Sequence, residues 1–505
     1  MTGPPRDSFP WIVCGLALLH LLIGIFLFEP TLFPGGDNAG YLILGDALRH
    51  GEGYRDLYLP GAPWHARYPP LLPMLLAGVG VFGGVVLAKA VMLVLTTLAV
   101  WVTAHLGRRW IGEGPALLAA TLMALNPTLL DYGHYILSEA PFVVLVLLAL
   151  WASHRDDTKG VVLAMAAAVG AFATRTAGMT ILAALPLAWL VEGRRRRAAW
   201  SGVVAVATLA LWSLYQHWAA ADDPGYLAQL VLVDPYTPES GSVGIVGLIV
   251  RTATNLWAYV SRVVPQTALG AEGPPSTLLT GFGIALSALA LAGWAHRLRR
   301  SAPKAPEIFV VLYVGLIAAW PSVWTDRRFL LPLFPLLLLL AARFVSDLQT
   351  RFARPGQAAL LAAMIFPSVL WIGPRVPARL DCAAAYRAGT PCDPPANASL
   401  YAAARWARAN TPEGAIIANR KPRLFYWYAH RQGDVYAFSA DPDAVMADLD
   451  RMGADYVVVD QISGTTPRYL VPAIRAHLDR FEPVYQGGTP TTSILRILPR
   501  QMAAE

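Results

Sequence analysis

Charge is scarce in this chain. Asp, Glu, Lys and Arg make up 14% of its 505 residues, where a soluble domain carries about 25%. That shortage excludes an ordinary soluble globular protein. Lysine is scarcer still: Lys89, Lys159, Lys304 and Lys421 are the full set. Arginine is therefore the default cation, and a lone arginine marks nothing by itself. Cysteine occurs only at Cys14, Cys382 and Cys392, with no C-x-x-C, and the ten histidines are scattered. No zinc-type spacing results, so no structural metal site is expected. The chain also lacks internal repeats, low-complexity tracts and the inverted-repeat symmetry of many transporters.

Long apolar runs are what the chain has. Its residues are 55% hydrophobic, its mean hydropathy is +0.46, and the apolar residues come in blocks of the roughly 20 residues that a bilayer crossing needs. Spans are expected near 9–28, 85–106, 112–130, 137–152, 160–174, 177–192, 199–216, 277–296, 307–323, 329–345 and 357–373. Eleven spans make a polytopic α-helical membrane protein. The first is followed by FPGGDNAGY and no A-x-A-like cleavage site, which reads as an anchor and not as a cleaved signal.

Basic residues set the expected orientation. Arg108 and Arg109, Arg155 and Lys159, Arg194 to Arg197, Arg297, Arg299, Arg300 and Lys304, and Arg343, Arg351 and Arg354 fall on one side. The positive-inside rule makes that side cytoplasmic. The N-terminus is then inside and the C-terminal region outside. The net charge of +7 reports topology, not nucleic-acid binding. Cys382 and Cys392, which bracket DCAAAYRAGTPC on the outer side, suit a disulfide in an oxidising compartment. Cys14 is a small apolar residue inside the first span.

The expected organisation is a membrane body over 1–375, a Pro/Ala-rich linker over 376–397 and an extracytoplasmic α/β domain over 398–505. Two long outer segments, 29–84 and 217–276, contain NAGYLILGDALRHG and VGIVGLIVRTATNLWAYVSRVV. Their helical spacing predicts helices lying along the interface, with Trp257 and Tyr259 at headgroup level. In the C-terminal domain ASLYAAARWARAN, DPDAVMADLDRMG and PRYLVPAIRAHLDRF read as helices. GAIIAN, ADYVVVD and TSILRIL read as strands. With no glycine-rich phosphate loop and no nucleophile elbow, this domain is expected to take no catalytic part.

Two acids stand out at the same expected face: Asp37 in GGDNAGY, just past the first span, and Glu139 in HYILSEAPF, where the fourth begins. Acids at membrane depth are functional by default. The ordinary alternatives are that Asp37 caps a loop helix and that Glu139 sits in a first turn, where the dipole favours an acid. In order along the chain come Asp37 with Tyr41, then YPPLLP at 68–73, then NPTLLDYGHY leading to SEAP at 138–141, then WTDRRFLLPLFPLLLLL. This order resembles the GT-C membrane glycosyltransferases of family 39, which include protein O-mannosyltransferases, aminoarabinose transferases and bacterial RgtA/B/C/D-like proteins. The resemblance covers about 1–375. It departs where Asn38 stands in place of a second acid, which makes a two-carboxylate metal site less suited to this motif.

The resemblance implies a GT-C-like fold and transfer of a sugar from a polyprenyl-phosphate donor to a hydroxyl of a lipid, glycan or protein at the outer face. In such a reaction Asp37, or Glu139 failing that, accepts the hydroxyl proton. Arginine suits the departing phosphate because its planar fork pairs with phosphate oxygens. Arg327, Arg328 and Arg175 are the donor-phosphate candidates, although Arg328 could be snorkelling and Arg175 could simply pair with Glu139. Tyr41, His65, Arg67, Tyr68 and His134, in or beside the motifs, are the candidate substrate contacts. No cofactor is expected; a divalent metal stays open without support from the sequence. Two alternatives remain: a transporter or flippase of lipid-linked sugars, and a non-catalytic polyprenyl-lipid binder.

Overall fold

The computed structural model describes residues 7–219, 229–235, 240–274, 276–348, 350–390 and 392–499. Parts of the 217–276 segment therefore lie outside the described residues. The chain divides into two compact units. One comprises 1–29, 66–72 and 89–381. The other comprises 30–65, 73–88 and 382–505.

A helix falls on each of the eleven expected spans: Phe9–Phe26, Gly84–Trp110, Glu113–Ala124, Glu139–Ser153, Thr158–Thr174, Met179–Val191, Arg195–Ala219, Thr277–Arg300, Ala305–Ala319, Phe334–Asp347 and Thr350–Arg387. Among the described residues, Phe9–Phe26, Gly84–Trp110, Arg195–Ala219, Thr277–Arg300 and Arg354–Arg387 are long and apolar enough to cross a membrane unaided. Their outward faces are apolar, with Val203, Leu211 and Leu291 all more than 60% exposed. Lipid offers no polar partner, so polar groups turn inward and the backbone satisfies itself within each helix.

Small residues let these helices approach closely. A Cβ on Gly107 would lie 2.6 Å from Leu339 and 2.8 Å from Ala116, and one on Gly293 would lie 2.1 Å from the Leu340 carbonyl oxygen. His20 and Glu307 show how inward polar groups find partners within the bundle. His20 reaches the Ala124 carbonyl at 2.9 Å and Thr96 Oγ1 at 3.2 Å. Glu307 accepts from Trp110 Nε1 at 2.9 Å and Arg297 Nε at 2.6 Å.

The two segments expected to lie along the interface differ. Ile245–Ala258 leaves Ile245, Val246, Ile249, Val250 and Trp257 exposed and buries Arg251 and Asn255, as a lipid-facing amphipathic helix would. Tyr259, however, is 6% exposed. At about 100° per residue, Tyr259 falls on the side opposite Trp257 and close to that of buried Asn255, and the chain continues there through a π-helical stretch, Tyr259–Val263. Gly36–Arg49 is instead a largely buried helix, covered by protein. Ala39, Tyr41, Ile43, Leu44 and Ala47 are each 3% exposed or less, because Leu76 and the Pro73 carbonyl close in on Gly45.

In the same unit a four-stranded sheet has the order β1-β2-β4-β3, with β1 Ile417–Ala418, β2 Tyr456–Val459, β3 Phe481–Gly487 and β4 Thr492–Ile497. β1 and β2 are parallel, and the other pairings are antiparallel. Helices Pro395–Asn410, Pro422–Ala429 and Pro442–Met452 accompany it. Tyr436, Val445, Leu449, Val457 and Leu470 form its core. β3 and the Pro422–Ala429 helix have no counterpart in the sequence reading. β3 carries Pro483 beside a register shift, a combination edge strands tolerate and one that hides strand periodicity. Residues 376–387 continue the Thr350–Arg387 helix. Cys382 and Cys392 are joined by a disulfide, with Cα atoms 5.3 Å apart.

Candidate active site

Glu139 begins the helix Glu139–Ser153 and is fully buried. Its Oε1 accepts from an Arg175 guanidinium nitrogen and, at 2.9 Å, from Arg328 Nε. Arg175 sits at the break between the helices Thr158–Thr174 and Met179–Val191, in extended backbone. It also donates to Ser138 Oγ at 3.2 Å, and its guanidinium lies 5.5 Å from the Phe329 ring centroid and 5.9 Å from that of Phe142. Glu139 Oε2 is buried without a hydrogen-bond partner. Two guanidiniums thus meet on one buried carboxylate oxygen.

The neighbouring arginines of the pair separate. Arg328 joins Glu139, while Arg327 lies 3.8 Å from Asp131. His134 is 6% exposed, edge-on to Phe28 at 5.6 Å between centroids, and neither ring nitrogen has a hydrogen-bond partner. Burial pushes its imidazole pKa down to about 3, so it stands neutral. Arg67 is exposed and Tyr68 half-buried in the same unit. Lys89, which the sequence reading used only as an example of scarcity, is 1% exposed and donates to the Glu29 carbonyl at 2.6 Å. Its signal was available: an ionisable group deep in an apolar helix.

The other candidates lie in the second unit. Asp37 is in the first turn of Gly36–Arg49, 32% exposed, and its Oδ1 accepts from an Arg423 guanidinium nitrogen at 3.2 Å. Tyr41, one turn on, is 3% exposed. His65 is 1% exposed, and its Nδ1 donates to Asp56 at 2.9 and 3.0 Å. Asp56 and Arg423 were missed by the sequence reading. Arg423 carried a faint signal: Arg420, Lys421 and Arg423 crowd the start of a helix, where the dipole disfavours cations. Burial lowers the Lys421 pKa further. A single carboxylate facing a guanidinium is a poor donor set for a divalent cation.

No protein-family model matches the chain, and no curated protein matches it in sequence. Solved structures do match in fold. The archaeal oligosaccharyltransferase AglB from Archaeoglobus fulgidus, in complex with an inhibitory peptide and a dolichol-phosphate, aligns over 99% of this chain and 75% of its own, with 15% identity and a TM-score of 0.59. The same enzyme in complex with Zn and sulfate aligns over 97% and 74%, with 15% identity and a TM-score of 0.60. ArnT from Cupriavidus metallidurans, bound to undecaprenyl phosphate, aligns over 99% of this chain and all of its own, with 14% identity and a TM-score of 0.58. The chain is thus a polytopic helical membrane protein with the fold of AglB and ArnT, the GT-C-like fold its motifs implied.

Proposed function

We propose that this protein is an integral-membrane glycosyltransferase that moves a sugar from a polyprenyl-phosphate donor to a hydroxyl acceptor. The observation that carries the reading is the Glu139 carboxylate shared by Arg175 and Arg328, a preorganised cationic site in a fold that two lipid-phosphate-bound proteins share. In this reading Arg175 and Arg328, with Arg327 beside them, hold the donor phosphate and stabilise the charge that gathers on it as it leaves. Asp37 accepts the hydroxyl proton. Glu139 positions the two arginines, since its Oε1 is already engaged with both. Tyr41, His65, Arg67, Tyr68 and His134 are the remaining candidate substrate contacts. Displacement in one step at the sugar carbon would invert its configuration.

The test uses the purified full chain in proteoliposomes with radiolabelled polyprenyl-phosphate pentoses and hexoses and envelope-derived acceptors. Transfer of label into acceptor is expected. Label that only crosses the bilayer would favour a flippase, and label that only binds would favour a lipid-binding protein.

We also propose that the body spans 1–375, that the N-terminus is cytoplasmic, and that the C-terminal α/β domain is extracytoplasmic. The basic loops and the Cys382–Cys392 disulfide support this. A membrane-impermeant thiol reagent is expected to label a cysteine placed at Gly464 in intact cells, and not one placed at Arg195. The opposite pattern would reverse the orientation and remove the acids from the outer face.

A further inference from the structure

The contact between Asp37 and Arg423 joins residues 386 positions apart. Several features make it a built contact and not a chance surface pair. The Arg423 side chain is 17% exposed. Its guanidinium lies 5.3 Å from the ring centroid of Tyr58, which is itself buried. Its aliphatic stem crosses the Asp37 helix at Gly40, where a Cβ would come within 3.0 Å of Arg423 Cδ. The Tyr58 loop is tied to the same C-terminal stretch: Gly433 N donates to the Tyr58 carbonyl at 2.9 Å, and Gln432 Nε2 to that of Leu57 at 3.2 Å. Arg423 also sits at the second residue of its helix, behind Lys421 and Arg420. A cation there opposes the helix dipole, and an acid beside it offsets the cost.

We infer that Arg423 is a positioning residue for Asp37, so that the C-terminal segment completes the acid–base machinery of the membrane enzyme. The inference rests on Asp37 being the base proposed above. During transfer the acceptor O–H proton passes to the Asp37 carboxylate and the new bond from acceptor oxygen to sugar carbon forms. The bond from sugar carbon to phosphate oxygen breaks, its electron pair leaving on the phosphate. Arg423 neither gives nor takes a proton, since a guanidinium stays charged in proteins. It fixes the rotamer of the carboxylate. It also offsets the like-charge repulsion that an anionic donor would impose on an ionised Asp.

The experiment is a double-mutant cycle in the full chain: wild type, Arg423→Ala, Asp37→Asn and the double variant, assayed with the polyprenyl-phosphate sugar that the wild type turns over. Arg423→Ala is expected to lower kcat about tenfold or more, as loss of a charge-assisted bond implies, with donor KM nearly unchanged. In the Asp37→Asn background the same substitution should change the residual rate less than about twofold, because it acts through the group already removed. Arg423→Lys should recover part of the loss. Equal fractional losses in both backgrounds, or a loss confined to KM, would overturn the inference while leaving Asp37 as the base. Normal turnover by Asp37→Asn alone would instead remove the base assignment, and the inference with it. If Arg423→Ala does not fold, Arg423→Gln enters the same cycle.

Discussion

Asp37→Asn is expected to lower sugar transfer by about two orders of magnitude or more, with fold and expression retained. The amide matches the carboxylate in shape but cannot accept the acceptor's proton. Asp37 is suited to the substitution because it lies in a first helical turn and is 32% exposed, so the neutral side chain keeps access to water. The measurement is initial-rate transfer by purified variant and wild type, with detergent gel filtration to confirm folding. Near-normal turnover would place the base elsewhere, and Glu139 would be tested next.

Glu139→Ala is expected to produce the largest stability loss among the site variants. It leaves the Arg175 and Arg328 guanidiniums without their shared acceptor in an apolar surrounding. Removing one partner of a buried ion pair costs about 3–5 kcal/mol. The unfolding midpoint in detergent should fall well below that of Asp37→Asn. A triple variant, Glu139→Ala with Arg175→Leu and Arg328→Leu, should regain part of that stability, since it removes the two guanidiniums that lose Glu139. It should nevertheless fail to bind polyprenyl phosphate, measured by tryptophan quenching. A triple variant that still binds would show that the phosphate is held elsewhere. A Glu139→Ala protein as stable as wild type would show that the cluster is wetter than its burial implies.

How far the sequence could be read depended on the range of the interaction. Every expected span coincides with a helix because lipid demands an apolar exterior over a fixed length, and run length is a local signal. The C-terminal helices apart from Pro422–Ala429, and three of the four strands, were legible from helical and alternating periodicities. The fourth strand, interrupted by Pro483 and a register shift, carries no such rhythm. At the site, pairing of Arg175 with Glu139 was foreseeable, since charges in an apolar body seek partners. That Arg328 and not Arg327 completes the cluster was not. Two adjacent arginines look alike in sequence, and the short Arg327–Leu330 helix turns them toward different acids. The burial of Gly36–Arg49 was also illegible, because its packing partners lie outside the segment.

The second unit is assembled from stretches at opposite ends of the chain. This sets a clock on biosynthesis. At about 5–20 residues per second, the 386 residues between Asp37 and Arg423 take roughly 20–80 s to synthesise. For that interval the nascent protein carries its acid without its guanidinium, and the Asp37 helix has yet to meet the Pro422–Ala429 helix. A chain that ends between Arg387 and Arg423 keeps the sequence of the eleven long helices and of the Glu139 cluster but never completes the Asp37 pair. On the proposed assignment of Asp37, such a copy lacks the positioning guanidinium and is expected to transfer sugar at least about tenfold more slowly than the full chain.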